Sequence, residues 1–360
     1  MDDYKYLAIV EWAKKYIVEH QMQPNQRFLS ESELCSIHNV SRQTVRQALK
    51  MLEDEDILVR VRGSGTYVKP ITAASTDSLR PKSVGIVSTY FSDYIFPSII
   101  TGIESVLKKN DIGIQLSITH NRVFEEAQAL RNMMAHGVSG IIVEPSKSAL
   151  PNPNAALYQE IIANNIPLVF FNARYPWVSS PSVTMDDRDA ARQVTDHLFA
   201  NGHENISAIF SMDDIQGHER YRGFMESCEM HGILQAEQNV MWYYTSERNA
   251  LFMASESRIM ELLKSSTAVV CYNDKLAVEL MDFCRGKGIC VPRDISVTGI
   301  DDARIATLCD VQLTTVRHPH QLMGEKAAQI MLELINSPET KQKDYVFKPE
   351  LVVRDSVKRV

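Results

Sequence analysis

Positive charge is in short supply in this chain. Its 360 residues carry 38 Lys and Arg against 45 Asp and Glu, a formal net charge of −7 at pH 7. A uniformly basic polyanion-binding protein is excluded, and residues 1–70, with ten basic and ten acidic side chains, form no basic domain either. Any nucleic-acid contact has to come from the placement of a few charges. Cysteine is scarce too. Cys35, Cys228, Cys271, Cys284, Cys290 and Cys309 show no C-x-x-C spacing and mostly sit among apolar neighbours, which argues against a zinc site or a disulfide framework. No apolar run approaches the roughly 20 residues of a membrane span, and Met1-Asp2-Asp3-Tyr4-Lys5 lacks a basic stretch leading into an apolar one. We expect a cytoplasmic protein with no membrane partner. Catalytic signatures are missing as well: His218-Glu219-Arg220 lacks the second histidine of H-E-x-x-H, and no G-x-S-x-G occurs. Asp186-Asp187 and Asp301-Asp302 are adjacent pairs, and neighbours on an extended segment point to opposite faces, which is poor geometry for a shared catalytic site. No enzymatic activity, metal or cofactor is expected.

What is present begins at Ser41-Arg42-Gln43-Thr44-Val45-Arg46. Ser41 suits a helix N-cap, and Val45, Ala48, Leu49 and Leu52 fall at the i, i+3, i+4, i+7 spacing of one buried face. Arg42, Gln43, Thr44 and Arg46 are left on the opposite face, where a recognition helix presents side chains to base edges and phosphates. Upstream, Ser30-Glu31-Ser32-Glu33 fits a capping box opening a shorter helix, His38-Asn39 a tight turn, and Tyr6, Ile9, Val10, Ala13, Tyr16 and Ile17 a first amphipathic helix. Downstream, Arg62-Gly63-Ser64-Gly65-Thr66-Tyr67-Val68 reads as a β-wing. Three helices and a hairpin in this span make a winged helix-turn-helix, and the expected partner is double-stranded DNA. The alternatives are a winged helix that binds protein, or merely solvated arginines.

Phe28-Leu29-Ser30-Glu31-Ser32-Glu33-Leu34, residues 40–49 and Gly63-Ser64-Gly65-Thr66-Tyr67-Val68 stand in the order and spacing of the GntR family of bacterial regulators, which this region resembles. That family usually closes its recognition helix with a glycine, where this chain has Asp56. Aspartate is among the few residues besides glycine that tolerate a left-handed conformation, so the helix stop is expected to survive there. The expected DNA contacts are Glu31 from the preceding helix, Ser41, Arg42, Gln43, Thr44 and Arg46 from the recognition helix, and Arg62, Gly63 and Gly65 from the wing.

The segment from Pro70 to Pro81 is small and polar with no apolar period, and reads as a linker. Beyond it, short β-branched runs at 84–87, 114–118, 140–143, 167–171, 206–210, 240–244, 268–272 and 295–300 alternate with helical stretches. Continuous apolar strands separated by helices mean parallel sheets covered on both faces, and so many strands suggest two sheets. In such sheets ligands sit outside the carboxyl ends of strands.

Several strand ends resemble the LacI/GalR family, whose core is like a periplasmic sugar-binding protein. They are residues 183–187 through 197–203, Arg220-Tyr221-Arg222-Gly223-Phe224, Asn273-Asp274-Lys275-Leu276-Ala277, residues 288–302 and Thr314-Thr315-Val316. Glu144-Pro145-Ser146-Lys147-Ser148-Ala149, Ser92-Asp93-Tyr94-Ile95-Phe96-Pro97 and the joined layout are similar to the arabinose repressors of Gram-positive bacteria. The resemblance implies a repressor that binds operator DNA as a homodimer and is released by a small sugar, L-arabinose in the first place. Another pentose or sugar derivative as effector, an activator, and a sugar-binding protein without a regulatory role are the alternatives. The expected fold is α/β: a winged helix-turn-helix at 1–70, a linker at 71–82, and at 83–360 a two-lobed periplasmic-binding-protein-like core of parallel sheets flanked by helices, which also dimerises.

A sugar offers hydroxyls that both donate and accept, so its site needs planar polar groups and an aromatic face against its C–H surface. Asn273 can donate and accept, Asp301 accepts, and Arg220 supplies a rigid fork of donors. Glu144 and Lys147 form a polar pair at one strand end, Asn172 and Arg174 follow another, and Tyr94 or Phe96 supplies the stacking face. His318 is placed where the chain recrosses between lobes, and Trp242 in the core. The competing readings are surface ion pairs: Arg220 with Glu219 or Glu226, and Glu144 with Lys147. Asp274 and Asp302 are read as helix N-caps and left out of the site.

Overall fold

The computed structural model describes residues 3–360 except 21, 56, 62–63, 70–81, 92–93, 338 and 340–342. Two compact units result, Met1–Lys82 and Ser83–Val360. The segment read as a linker lies almost wholly outside the described residues, as does Asp56.

The small unit holds α1 (Asp3–Glu19), α2 (Glu31–His38), α3 (Arg42–Asp54) and a hairpin of β1 (Leu58–Val61) and β2 (Gly65–Val68). The capping box at α2 is complete: Glu33 N–H donates to Ser30 Oγ at 3.3 Å, and Ser30 N–H to Glu33 Oε2 at 2.7 Å. Asn39 stops the helix in a left-handed conformation, φ 50°, its amide donating to the Cys35 carbonyl. Ser41 caps α3 through the Thr44 amide at 3.3 Å. Val45, Ala48, Leu49 and Leu52 are completely buried against Ile9, Val10, Ala13 and Ile17 of α1, so one apolar stripe fixes which face of α3 stays free. The hairpin pairs Leu58 with Val68 and Val61 with Gly65, and Arg27 adds a bridge to Tyr67.

The large unit is two parallel α/β lobes. The first contains β3 (Ser83–Ser88), α4 (Phe96–Lys108), β4 (Gly113–Ile118), α5 (Val123–His136), β5 (Gly140–Val143), α6 (Ala155–Ala163), β6 (Leu168–Phe171) and β7 (Ser182–Met185). The second contains α7 (Asp187–Ala200), β8 (Ile206–Ser211), α8 (Ile215–Met230), β9 (Val240–Tyr243), α9 (Leu251–Ala254), α10 (Glu256–Ser265), β10 (Ala268–Cys271), α11 (Asp274–Gly286), β11 (Ser296–Thr298), α12 (Ile305–Leu308) and β12 (Thr315–Arg317). The chain then returns to the first lobe through α13 (His320–Asn336) and β13 (Tyr345–Phe347), and ends with β14 (Glu350–Val352) against β12. Sheet orders are β13-β7-β6-β5-β3-β4 and β11-β10-β8-β9. Val84, Ile86, Ile142, Val169, Phe210 and Val269 are among the fully buried strand residues, as expected for sheets covered on both faces. Helix α13 lies close on α4 because each offers a glycine at the crossing: a side chain on Gly102 would strike the Gln321 carbonyl, and one on Gly324 the Ile99 carbonyl. The carboxyl ends of both sheets face one cleft.

Candidate functional site

In the small unit the outward face of α3 carries Arg42, Gln43 and Arg46, all exposed, with Thr44 half-buried beside the cap. Arg46 Nε lies 3.1 Å from Glu31 Oε2, and Arg60 Nη2 lies 3.7 Å from Glu31 Oε1, so Glu31 gathers one arginine from the helix and one from the wing. Glu53 takes the other side of Arg60 at 3.6 Å. Gly65, at φ 129°, opens β2 in a conformation that L side chains rarely adopt. Glu31, Ser41, Arg42, Gln43, Thr44, Arg46 and Gly65 are thus placed in one unit, while Arg62 and Gly63 lie outside the described residues.

In the large unit a cleft of about 340 Å³ opens between the lobes. Glu144, just past β5, is buried, and its carboxylate accepts from Thr89 N at 2.8 Å, Thr89 Oγ1 at 2.5 Å, Ser88 Oγ at 3.2 Å and Asn172 Nδ2 at 2.8 Å. Burial pushes its pKa up, and the Thr89 and Asn172 hydrogen bonds hold it back. Asn172 is left-handed at φ 60°, and its Oδ1 is buried with no partner among the described residues. Across the cleft Asp214 accepts from Asn121 Nδ2 at 3.2 Å, Ser211 Oγ at 3.3 Å and Tyr272 OH at 3.4 Å. Burial, then the charge of Asp213, raises its pKa to about 7. Arg248 pairs with Glu279 through Nη1 and leaves Nη2 buried without a partner among the described residues. Tyr90, Tyr94, Phe96, Tyr243 and Tyr272 supply aromatic surface. Uncommitted planar donors and acceptors in an aromatic-walled, polar cavity suit a neutral polyhydroxyl ligand.

Residues 5–68 match the bacterial regulatory proteins of the gntR family, and residues 195–357 match a periplasmic binding protein-like domain. The arabinose metabolism transcriptional repressor of Geobacillus stearothermophilus is 40% identical over 360 residues, covering 99% of this chain and 98% of that protein. The protein of the same description from Halalkalibacterium halodurans is 36% identical, covering 98% and 96%. The chain belongs to this family of GntR-type transcriptional repressors. It is no enzyme, as its relatives are repressors. The repressor's large unit shares its fold with transcription regulator CcpA of Lactococcus lactis, at a TM-score of 0.69 and 24% identity over 78% of this chain and 100% of that one.

Of the residues singled out in the repressor's sequence, Tyr94, Glu144, Asn172, Arg220, Asn273 and Asp301 line the cleft. Arg174, Lys147 and His318 do not. Arg174 is half exposed and pairs with Asp344, because its strand end turns it toward the β13 edge. Lys147 reaches across the lobes to buried Asp213 at 3.4 Å and makes no pair with Glu144. His318 is buried beside the cleft, stacked on His320 with rings 5.0 Å apart, and burial followed by the nearby charges of His320 and Arg220 holds it neutral. Arg220 is no surface residue. At 2% exposure its Nε donates to Asp187 at 2.8 Å and its Nη2 to Asp301 at 3.2 Å, with the guanidinium 4.8 Å from the Tyr272 ring centre. Tyr94 donates its hydroxyl to Asp301 across the lobes, so it is a tether as well as a stacking surface. The helix caps are the reverse of expectation: Asn273 caps α11 through the Leu276 amide at 3.0 Å, while Asp274 is buried and bonded to Thr315 and to the Ala303 amide. Asp302 caps nothing and pairs with Arg354 and Arg317. Trp242, expected in the core, is half-buried at its margin and packs with Phe210 and Tyr221. Sequence reasoning missed Asn121, Asp214 and Thr245, each following a strand, where the strand-end rule could have found them. Arg248 and Glu279 carried no such signal.

Proposed function

We propose that this repressor binds operator DNA as a homodimer, reads it with α3 and the wing, and is released when a small neutral sugar, L-arabinose, occupies the cleft. The supporting observation is the pair of buried, unpartnered groups, Asn172 Oδ1 and Arg248 Nη2, in an aromatic-walled cavity. One is an acceptor and the other a donor, as sugar hydroxyls require, and leaving either unmatched costs about 1–3 kcal/mol. Charge favours a neutral ligand: both arginines of the cleft are committed, Arg220 to Asp187 and Asp301 and Arg248 to Glu279, so neither is left to balance a phosphate or carboxylate beside Glu144 and Asp214. Arabinose itself is suggested by the names of the relatives at 40% and 36% identity. Dimerisation is expected because one winged helix covers a single half-site. In this reading residues 1–70 are the reader, 83–360 the sensor and dimer surface, and 71–82 the connection. Calorimetry with L-arabinose, other pentoses, hexoses and a sugar phosphate, followed by operator release assays, tests it. Selective arabinose binding that releases operator is the expected result, and no binding of any neutral sugar overturns it.

A further inference from the structure

Beside the recognition helix the small unit has an open groove lined by Arg27, Ser30, Glu31, Arg60, Ser64 and Gly65. Its cations are not equivalent. Arg60 lies between Glu31 and Glu53, and Arg46 at its edge is held by Glu31. Arg27 is exposed and has no ion pair among the described residues, although it precedes α2 and belongs to neither the helix-turn-helix nor the wing strands. Its backbone is nevertheless fixed to the wing. Arg27 bridges Tyr67, Phe28 N–H donates to the Thr66 carbonyl at 2.8 Å, and Val68 N–H donates to the Gln26 carbonyl at 2.9 Å, so residues 26–28 are held alongside β2.

The side chain rests on the same wing. It lies over Gly65, where a Cβ would stand 3.2 Å from Arg27 Nε and 3.6 Å from Nη2. The glycine leaves room for the guanidinium against the wing backbone, and Arg27 borders the same groove as Glu31 and Arg60. A planar fork on a fixed backbone, with no carboxylate at ion-pair distance among the described residues and flanked by arginines committed to carboxylates, is matched to a phosphate oxygen pair. We propose that Arg27 is a phosphate-binding residue of the DNA-reading face, anchoring the duplex backbone at the base of the wing while α3 reads the bases.

A phosphate contact has a signature that a base contact or a structural role lacks. Releasing one counterion changes the slope of log K against log salt by about 0.9. The full-length protein is titrated with operator and with an unrelated duplex over a range of salt, using Arg27→Gln and Arg27→Lys. Arg27→Gln should flatten the slope by about 0.9 for each copy on the DNA and weaken both duplexes by the same factor. Arg27→Lys should keep the slope, and both variants should melt like the parent. An unchanged slope in Arg27→Gln overturns the proposal, as does a loss confined to the operator, which would make Arg27 a base reader, or a loss shared equally by Arg27→Lys with lowered melting, which would make it structural.

Discussion

Arg220 keeps two buried carboxylates together. Asp187 and Asp301 flank its guanidinium, and burial still raises the Asp187 pKa to about 6 against the pull of Arg220. Arg220→Ala would leave both acids buried without a counter-charge, and should destabilise the large unit by about 3–5 kcal/mol in chemical denaturation. A loss of sugar affinity in that variant therefore carries little information about contact. Arg248→Met is the cleaner test, since its ion-pair partner Glu279 is partly exposed, whereas Asn172→Ala also takes a hydrogen bond from buried Glu144. Asp214 gives a pH dependence with a definite sign. Its pKa stands near 7, through burial first and then the charges of Asp213 and Glu144. A sugar hydroxyl donating to this carboxyl favours the ionised form, so the complex holds fewer protons than the free protein. Sugar affinity should rise between pH 6 and 8, by at most about tenfold per unit for a single proton released. Calorimetry in buffers of different ionisation enthalpy measures that proton directly, and Asp214→Asn should flatten the profile.

Helix α3 joins stability to recognition through its two faces. Leu49 is fully buried, and Leu49→Ala should cost the small unit about 2–5 kcal/mol, read from its own unfolding transition. Arg46→Ala should leave that transition in place and weaken operator binding by about 1–3 kcal/mol if the side chain reads a base. The contrast explains which parts of the molecule were legible in its sequence. A buried stripe, a capping box at Ser30 and an N-cap at Ser41 are local signals, and α2 and α3 formed where those signals placed them. The long apolar strands were equally plain. The strands β13 and β14 were harder to see, because each is three residues long and exists through pairing with a distant partner: Tyr345 with Val183, and Val352 with Thr315. The same limit applies to the cleft. Glu144 and Asp301 were visible as polar residues ending apolar runs, whereas the Arg248–Glu279 pair joins a short 3-10 turn to α11 and needs the tertiary fold to bring it to the cavity. Asn273 and Asp274 were exchanged because either residue type can cap a helix, and only packing against Thr315 decides which one turns inward.

The lobes of the large unit are tied across the cleft by Tyr94 with Asp301 and by Lys147 with Asp213. Tyr94→Phe removes the hydroxyl tether while keeping the aromatic surface, and it should shift the balance between lobe arrangements more than it changes direct sugar contact. For that balance to regulate transcription, the sugar must bind better to the arrangement that holds DNA less well, since a ligand with equal affinity for two states shifts neither. Coupling of this kind usually amounts to about 1–3 kcal/mol, or about 5–150-fold in affinity, and it is reciprocal. Saturating operator should therefore weaken arabinose binding by the same factor by which arabinose weakens operator binding. Calorimetry with and without operator measures one side of the cycle, and operator titration with and without sugar measures the other. Tyr94→Phe should change both factors equally, because it acts on the equilibrium they share. Sugar affinity that is indifferent to operator would rule out an effector role, and tighter sugar binding on DNA would make the ligand a corepressor.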